Sequence, residues 1–272
     1  MKQETPPLLA LLAGLGIDRV ALFLDVDGTL APIASRPQDV RLAPQTVQTL
    51  RTLHAHSNGA VALVSGRAIA DLDRLAAPLA LPAAGAHGAQ WRAADGTIKQ
   101  VASDPAVMQE IIQALEPMLR THPGLQLENK GLSLALHYRH APHCRALVEQ
   151  TLAELVARHA QTHALQAGKC VLEVVPRGVS KGAAIGRYMQ SPPFWGRVPV
   201  FVGDDVTDES GFKMVNQVDG VSVKVGEGET LARHRIASVD ALLHVLARWC
   251  ADLQRTALGG APDDSMQRCI HE

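Results

Sequence analysis

Two short motifs carry closely spaced acidic residues, and each motif directly follows an apolar run. DVDGT (25–29) comes after VALFL at 20–24, and GDDVTDE (203–209) comes after PVFV at 199–202. If the two motifs meet in space, their carboxylates repel each other unless a cation lies among them. Carboxylate oxygens, with water in the remaining positions, are ligands that suit Mg²⁺. The two motifs therefore favour a magnesium site.

Two further segments supply groups that suit a phosphate. SGR at 65–67 follows the apolar run AVALV (60–64), and Lys181 stands at the start of a predicted helix. In doubly wound sheets, ligands bind outside the carboxyl ends of the strands. The polar groups of all four segments fall at that edge, so we expect them to converge there.

Each motif taken alone also has a structural explanation. Asp27-Gly28 and Ser65-Gly66 are ordinary turn pairs, and Asp204 is a suitable helix N-cap. Folding does not require three strands that all end in acids or in Ser-Gly, however. The joint occurrence of the motifs therefore favours a function over three unrelated turns.

The segments that must position these motifs alternate between strands and helices. Uninterrupted apolar runs predict strands at 20–24, 60–64 and 199–203, and such runs are typical of strands buried on both faces of a parallel sheet. A short apolar segment at 79–84 and the segment GVSVKV at 220–225 predict two more strands. Helical periodicity between the strands predicts crossover connections. The fold class is therefore α/β, with a doubly wound, Rossmann-like core.

The pattern changes after residue 86. Asp95-Gly96 predicts a hairpin, and residues 104–177 follow the order helix, two strands, helix, two strands. We interpret 104–177 as an α+β cap domain inserted into a discontinuous core domain formed by 1–103 and 178–255. Residues 256–272 show no hydrophobic periodicity, so we predict that they form a mobile tail.

Composition limits the function classes. Of the 272 residues, 47% are hydrophobic and 19% charged, and the formal net charge is −1. This balance argues against nucleic acid as a partner. No segment approaches the roughly 20 apolar residues that span a bilayer, and the N-terminus lacks the features of a signal peptide. With four scattered cysteines, we expect a monomeric cytoplasmic protein that binds a small molecule.

The four motifs, in this order and with an insertion between the second and third, resemble the haloacid-dehalogenase superfamily of phosphotransferases over about residues 20–245. The resemblance implies that Asp25 attacks phosphorus and forms an aspartyl-phosphate. It also implies that Asp27 protonates the leaving oxygen and later accepts a proton from the attacking water.

The same resemblance assigns roles around the phosphate. Ser65 and Gly66 would hold phosphoryl oxygens, and Lys181 would neutralise charge on the nucleophile and the phosphate. Arg67 would either contact the substrate or tie the cap to the core.

The implied cofactor is Mg²⁺. Its ligands would be Asp25, the backbone carbonyl of Asp27 and Asp204, with Asp205 or Asp208 ordering its waters.

The cap segments ENKGLSLALHYR (128–139) and LEVVPRGVSKG (172–182) resemble the trehalose-6-phosphate phosphatase family. The resemblance implies that Glu128, Lys130 and Glu173 bind sugar hydroxyls, which both donate and accept hydrogen bonds. Without it, these three residues would be interpreted as solvated cross-strand ion pairs.

Three further positions bear on the resemblance to that family: His87 is a candidate site residue, and two other residues differ from the family pattern. His87 leaves a core strand toward the cap and either meets the sugar or supports a turn. Gln90 stands where the family pattern HGAE has an acid, and Val175 stands where a basic residue often precedes PRG.

The expected activity is Mg²⁺-dependent hydrolysis of trehalose 6-phosphate, a sugar phosphate, through an aspartyl-phosphate. The alternative is another phosphatase of the superfamily, of the sucrose-phosphate or mannosyl-phosphoglycerate type. A hexose phosphate mutase, a catalytically inactive binding domain and a phosphate-receiver domain are less consistent with the cap and the intact Asp27.

Overall fold

The computed structural model describes residues 7–34, 36–102, 104–168 and 170–257. Within these ranges the helices are α1 (Pro7–Leu15), α2 (Pro44–His56), α3 (Ile69–Ala76), α4 (Pro105–Thr121), α5 (Arg145–Ala157), α6 (Lys181–Tyr188), α7 (Glu209–Gln217) and α8 (Val239–Ala257). The strands are β1 (Val20–Leu24), β2 (Val61–Val64), β3 (Ala83–Gly85), β4 (Gln90–Arg92), β5 (Ile98–Gln100), β6 (Gln126–Asn129), β7 (Leu134–His137), β8 (His163–Gly168), β9 (Val171–Pro176), β10 (Val198–Gly203), β11 (Val221–Val225) and β12 (His234–Ile236). Among these helices, none combines the length and apolar composition needed to cross a membrane.

The larger sheet has the strand order β12-β11-β10-β1-β2-β3-β4-β5. Strands β12 through β3 pair in parallel, and β4 and β5 extend the sheet antiparallel. Strand β1 is central, and its alternate residues pack into two cores: Leu22 faces α2 and α8, whereas Phe23 faces α6 and α7. This burial on both faces explains the uninterrupted apolar run. The prediction of a doubly wound α/β fold is confirmed.

One local prediction differs from the structure, and two elements were not predicted. The strand expected at 79–84 is β3, which begins only at Ala83, because Pro78 and Pro82 lack the N–H that a ladder needs. Helix α1 was not predicted; its Leu9 packs in the same core as Trp249 of α8. The short edge strand β12 was not predicted either. The hairpin at Asp95-Gly96 is present, with Gly96 at φ +85°.

The smaller sheet, with the order β6-β7-β9-β8, is antiparallel throughout. One of its faces carries Leu136 and Leu172 and packs against α4 and α5. The other face carries Glu128, Ala135 and Glu173 in a single cross-strand row. The two glutamates therefore flank a small residue on the face that is not covered by the helices.

This sheet and its two helices lie between β5 and α6, as the insertion requires. Asp104 caps α4 through a 2.9 Å hydrogen bond from the amide of Ala106, and β9 ends at Pro176. The division into a core domain and a cap domain stays a prediction. Helix α8 continues to Ala257, and the remainder of the predicted mobile tail, 258–272, lies outside the described residues.

Candidate active site

The four core motifs meet at the carboxyl end of the larger sheet, opposite the open face of the smaller one. They share a cavity of about 760 Å³ with the cap residues. The predicted site residues that line it are Asp25, Asp27, Ser65, Gly66, Arg67, His87, Glu128, Lys130, Glu173, Lys181, Asp204 and Asp205. Asp208 lies directly behind this wall and is fully buried.

Lys181 is held at the first position of α6 because Ser180 caps that helix, accepting a 3.1 Å hydrogen bond from the amide of Ala183. Its Nζ lies 3.0 Å from Asp25 Oδ1 and 2.7 Å from Asp208 Oδ1. Burial alone would lower the pKa of Lys181, but the charges of Asp208 and Asp25 outweigh it and raise the pKa above its usual value. The ammonium therefore stays charged beside the predicted nucleophile.

Carboxylate oxygens of Asp25, Asp204 and Asp208 lie within 4.8 Å of one another. Burial raises the pKa of Asp25 well above its usual value, and the neighbouring carboxylates add to the rise although Lys181 opposes it. Burial and the charge of Asp208 also raise the pKa of Asp204, to about 7. An all-oxygen set whose ionised form is disfavoured by crowding fits a hard divalent cation such as Mg²⁺.

Gly28 allows the turn that follows Asp25 to approach the Asp204 carboxylate closely. It adopts φ +80°, and a Cβ at this position would overlap the Asp204 carboxylate. The turn after Asp25 can therefore pass directly beside Asp204 only without a side chain.

Asp208 uses both of its oxygens within the protein. Oδ1 accepts from Lys181, and Oδ2 accepts the amides of Asp204 and Asp205 at 3.0 and 2.9 Å. We predicted that Asp205 or Asp208 orders metal-bound water. The structure gives Asp208 the additional task of fixing the loop that carries Asp204.

Asp27 is paired with Arg67 through two hydrogen bonds of 2.6 Å, donated by Nε and Nη2. The Arg67 side chain is 8% exposed and that of Asp27 is 36% exposed. Burial opposes the charge of Arg67, but the bonds and charge of Asp27 outweigh it and raise the pKa of the guanidinium. Arg67 therefore contacts the predicted general acid, a partner that sequence reasoning did not identify.

Glu173 joins the cap to the core. It accepts a 2.8 Å hydrogen bond from Lys130 Nζ, and its other oxygen lies 3.1 Å from His87 Nε2. Burial raises the pKa of Glu173, but His87 and Lys130 outweigh it and lower the pKa to about 2. Glu173 is thus a buried ionised group, and the interpretation as a solvated strand residue does not apply to it.

His87 is held against the loop after β2 that carries Ser65 and Gly66. Its amide donates to the Ser65 carbonyl at 3.0 Å, and a Cβ on Gly66 would lie 2.6 Å from its ring. Its Nδ1 and the Glu173 Oε2 are buried and make no aligned hydrogen bond with the residues that the structure describes. Both residues line the cavity.

Comparison with known proteins identifies the family. The family model for trehalose-phosphatase matches residues 23–243. The chain belongs to the trehalose-phosphatase family. It is 44% identical over 262 residues to trehalose-6-phosphate phosphatase of Escherichia coli (strain K12), covering 96% of this chain and 95% of that protein. It is 36% identical over 233 residues to the probable trehalose-phosphate phosphatase of Sinorhizobium fredii, covering 85% and 88%.

Solved structures agree on the fold. The C-terminal domain of trehalose-6-phosphate phosphatase from C. albicans superimposes with a TM-score of 0.79 at 21% identity, over 92% of this chain and 99% of that one. The Aspergillus fumigatus trehalose-6-phosphate phosphatase gives 0.63 at 27% identity, over 86% and 93%. The fold is of the haloacid-dehalogenase type, and this member of the trehalose-phosphatase family is a phosphoric monoester hydrolase.

Two residues at this phosphatase site were not identified from sequence. His137 lies 3.0 Å from Glu128, and its hydrogen bond lowers the pKa of that glutamate despite partial burial. Lys224 donates to the backbone carbonyl of Asp204. A charged residue inside the apolar strand GVSVKV was the available signal for Lys224.

Gln90, which departs from the family pattern, accepts a hydrogen bond from the amide of Ile69 at 3.3 Å.

Proposed function

We propose that this phosphatase hydrolyses trehalose 6-phosphate to trehalose and inorganic phosphate. The observation that carries the proposal is the single cavity in which the core carboxylates face the polar row of the cap sheet. The names of the two bacterial relatives, which match 96% and 85% of the chain, support the same substrate.

Asp25 would act as the nucleophile. Its carboxylate forms the new bond to phosphorus while the bond between phosphorus and the sugar 6-oxygen breaks, giving an aspartyl-phosphate. Water then attacks this phosphorus, the bond to Asp25 breaks, and phosphate leaves. The contact with Lys181 Nζ, 3.0 Å away, supports the assignment because the ammonium favours the ionised, nucleophilic form, although burial opposes it.

Asp27 would donate the proton that the leaving 6-oxygen requires, and would take one back from the attacking water. In the structure its two oxygens accept hydrogen bonds from the Arg67 guanidinium. Because an acid must carry a proton, the pair must loosen when substrate binds. A phosphate group competing for the Arg67 guanidinium would produce that change.

Lys181, the Ser65 hydroxyl and the Gly66 amide would surround the phosphoryl oxygens. Asp25, the backbone carbonyl of Asp27 and Asp204 would hold Mg²⁺, with Asp205 and Asp208 behind them. When bound, the ion supplies positive charge against the phosphoryl group.

Glu128, Lys130, Glu173 and His87 would bind the sugar hydroxyls. They offer carboxylate acceptors, an ammonium donor and an imidazole on facing walls of one cavity. Polar groups that a hydroxyl satisfies reject an analogue that lacks it, so this face supports selection for a disaccharide.

The test is phosphate release from a panel of esters, with Mg²⁺ and with EDTA. The panel contains trehalose 6-phosphate, sucrose 6-phosphate, mannosylphosphoglycerate, glucose 6-phosphate and p-nitrophenyl phosphate. We expect the highest kcat/KM for trehalose 6-phosphate and loss of activity in EDTA. Faster turnover of sucrose 6-phosphate or mannosylphosphoglycerate would replace the substrate assignment and leave the phosphatase chemistry intact.

A further inference from the structure

Lys224 is a buried lysine that the mechanism above does not use. It lies on β11, whose five residues are all buried, and it is only 6% exposed. Removing an ammonium from water costs several kcal/mol unless the protein compensates it. Its ammonium donates a hydrogen bond to the backbone carbonyl of Asp204, on the loop after the neighbouring strand β10.

The register explains why the lysine reaches that carbonyl. Gly203, the last residue of β10, pairs in parallel with Lys224, so Asp204 is the first residue beyond the paired segment. Val223 and Val225 face the core that the sheet forms with α2 and α8. Lys224 points to the opposite face of the sheet, toward α7. The side chain therefore lies under the loop that leaves β10.

This loop is held from two sides. The Asp208 carboxylate accepts the amides of Asp204 and Asp205, and Lys224 donates to the Asp204 carbonyl. On the cavity side, the Asp204 carboxylate lies so close to Gly28 that no side chain fits between them. A rotation of the Asp204 peptide would thus either separate its carboxylate from Asp25 or press it into the Gly28 turn.

We propose that Lys224 is a positioning residue that fixes the Asp204 peptide, and thereby sets the Asp204 carboxylate for a divalent cation. The inference rests on the proposed Mg²⁺ site of the phosphatase. A positioning role of Lys224 and a purely electrostatic role predict opposite effects on Mg²⁺ affinity. A neutral residue at 224 removes a cation near the site, which alone would tighten Mg²⁺ binding, whereas loss of the loop contact would weaken it.

The experiment measures Mg²⁺ binding to the purified full chain by isothermal titration calorimetry, without substrate. The variants are Lys224→Met, which keeps the length but removes the donors, and Lys224→Gln, which keeps a neutral donor. The matched control is Lys213→Met, because Lys213 is an exposed lysine of α7. We expect Lys224→Met to raise the Mg²⁺ Kd by roughly 10- to 100-fold, as for other groups that orient a metal ligand. Lys224→Gln should raise the Kd less, and Lys213→Met should leave it unchanged.

Urea unfolding and circular dichroism identify which variants are folded, and the Kd is compared only for those. If Lys224→Met does not fold, Lys224→Gln carries the test. Binding by a folded position-224 variant that equals or exceeds that of the wild type would overturn the positioning role. Failure of the wild type itself to bind Mg²⁺ would instead refute the proposed metal site.

Discussion

Replacing Glu173 with glutamine should reduce stability at neutral pH and much less in acid. The buried carboxylate lies 2.8 Å from Lys130 Nζ and 3.1 Å from His87 Nε2. Its pKa is about 2, against an ordinary value of 4.5. Because one pKa unit corresponds to about 1.4 kcal/mol, ionisation of Glu173 contributes roughly 3 kcal/mol to the free energy of unfolding.

The sign of the pH dependence follows from the depressed pKa. The contribution is fully present above about pH 4.5, where the unfolded chain is also ionised, and it is lost as the pH falls toward 2. We therefore expect Glu173→Gln to lower the free energy of unfolding by about 2 to 3 kcal/mol at pH 7. The difference from wild type should shrink below pH 4.5. Urea unfolding followed by circular dichroism at a series of pH values measures both.

Glu128→Gln is the matched control, because Glu128 occupies the same row of the cap sheet. It pairs with His137 at 3.0 Å, but its side chain is 43% exposed. Solvent weakens such pairs, so we expect a loss below about 1 kcal/mol. Equal losses in the two variants, or a Glu173→Gln difference that does not change with pH, would refute the buried ion pair between cap and core.

Four further predictions concern the chemistry. Asp25→Asn should reduce kcat to below about a tenth of wild type while circular dichroism stays unchanged, because an amide is a poor nucleophile. Asp27→Asn should slow hydrolysis of trehalose 6-phosphate far more than that of p-nitrophenyl phosphate, whose leaving group needs no proton; equal losses would remove Asp27 from the acid role. In steady-state assays Ca²⁺ should inhibit, because it can take both Asp25 oxygens. Glu128→Ala should lower kcat/KM for trehalose 6-phosphate roughly ten- to a thousandfold and leave p-nitrophenyl phosphate turnover nearly unchanged; equal effects would make Glu128 structural.

The sequence allowed the central strands and the place of the chemistry to be predicted, because both are encoded locally. Val20–Leu24 has the uninterrupted apolar run that burial on both faces demands, and Asp25 follows it at once. Once the sheet is parallel, the ends of β1, β2 and β10 must share an edge. The convergence of their motifs then follows from topology alone.

What could not be predicted depends on contacts between distant segments. Arg67 and Asp27 are 40 residues apart, and which acid the guanidinium meets depends on how the turns after β1 and β2 pack. His87 and Glu173 are still further apart: His87 lies in the turn after β3 of the larger sheet, and Glu173 lies on β9 of the smaller one. Local periodicity carries no information on such pairs. The edge strand His234–Ile236 was missed for another reason: it is short and largely exposed, so it has no apolar pattern.

The distribution of positive charge at the site links the proposed nucleophile to the proposed divalent cation. Arg67 pairs with Asp27, Lys130 pairs with Glu173, and Lys181 is shared between Asp25 and Asp208. Lys181 is thus divided between two acids, and its charge does not prevent the pKa of Asp25 from rising well above the ordinary value. As the proposed nucleophile, Asp25 would attack only when ionised, so the proposed mechanism needs further positive charge beside Asp25 and Asp204. A divalent cation there would favour ionisation of both carboxylates, which couples metal binding to the readiness of the nucleophile.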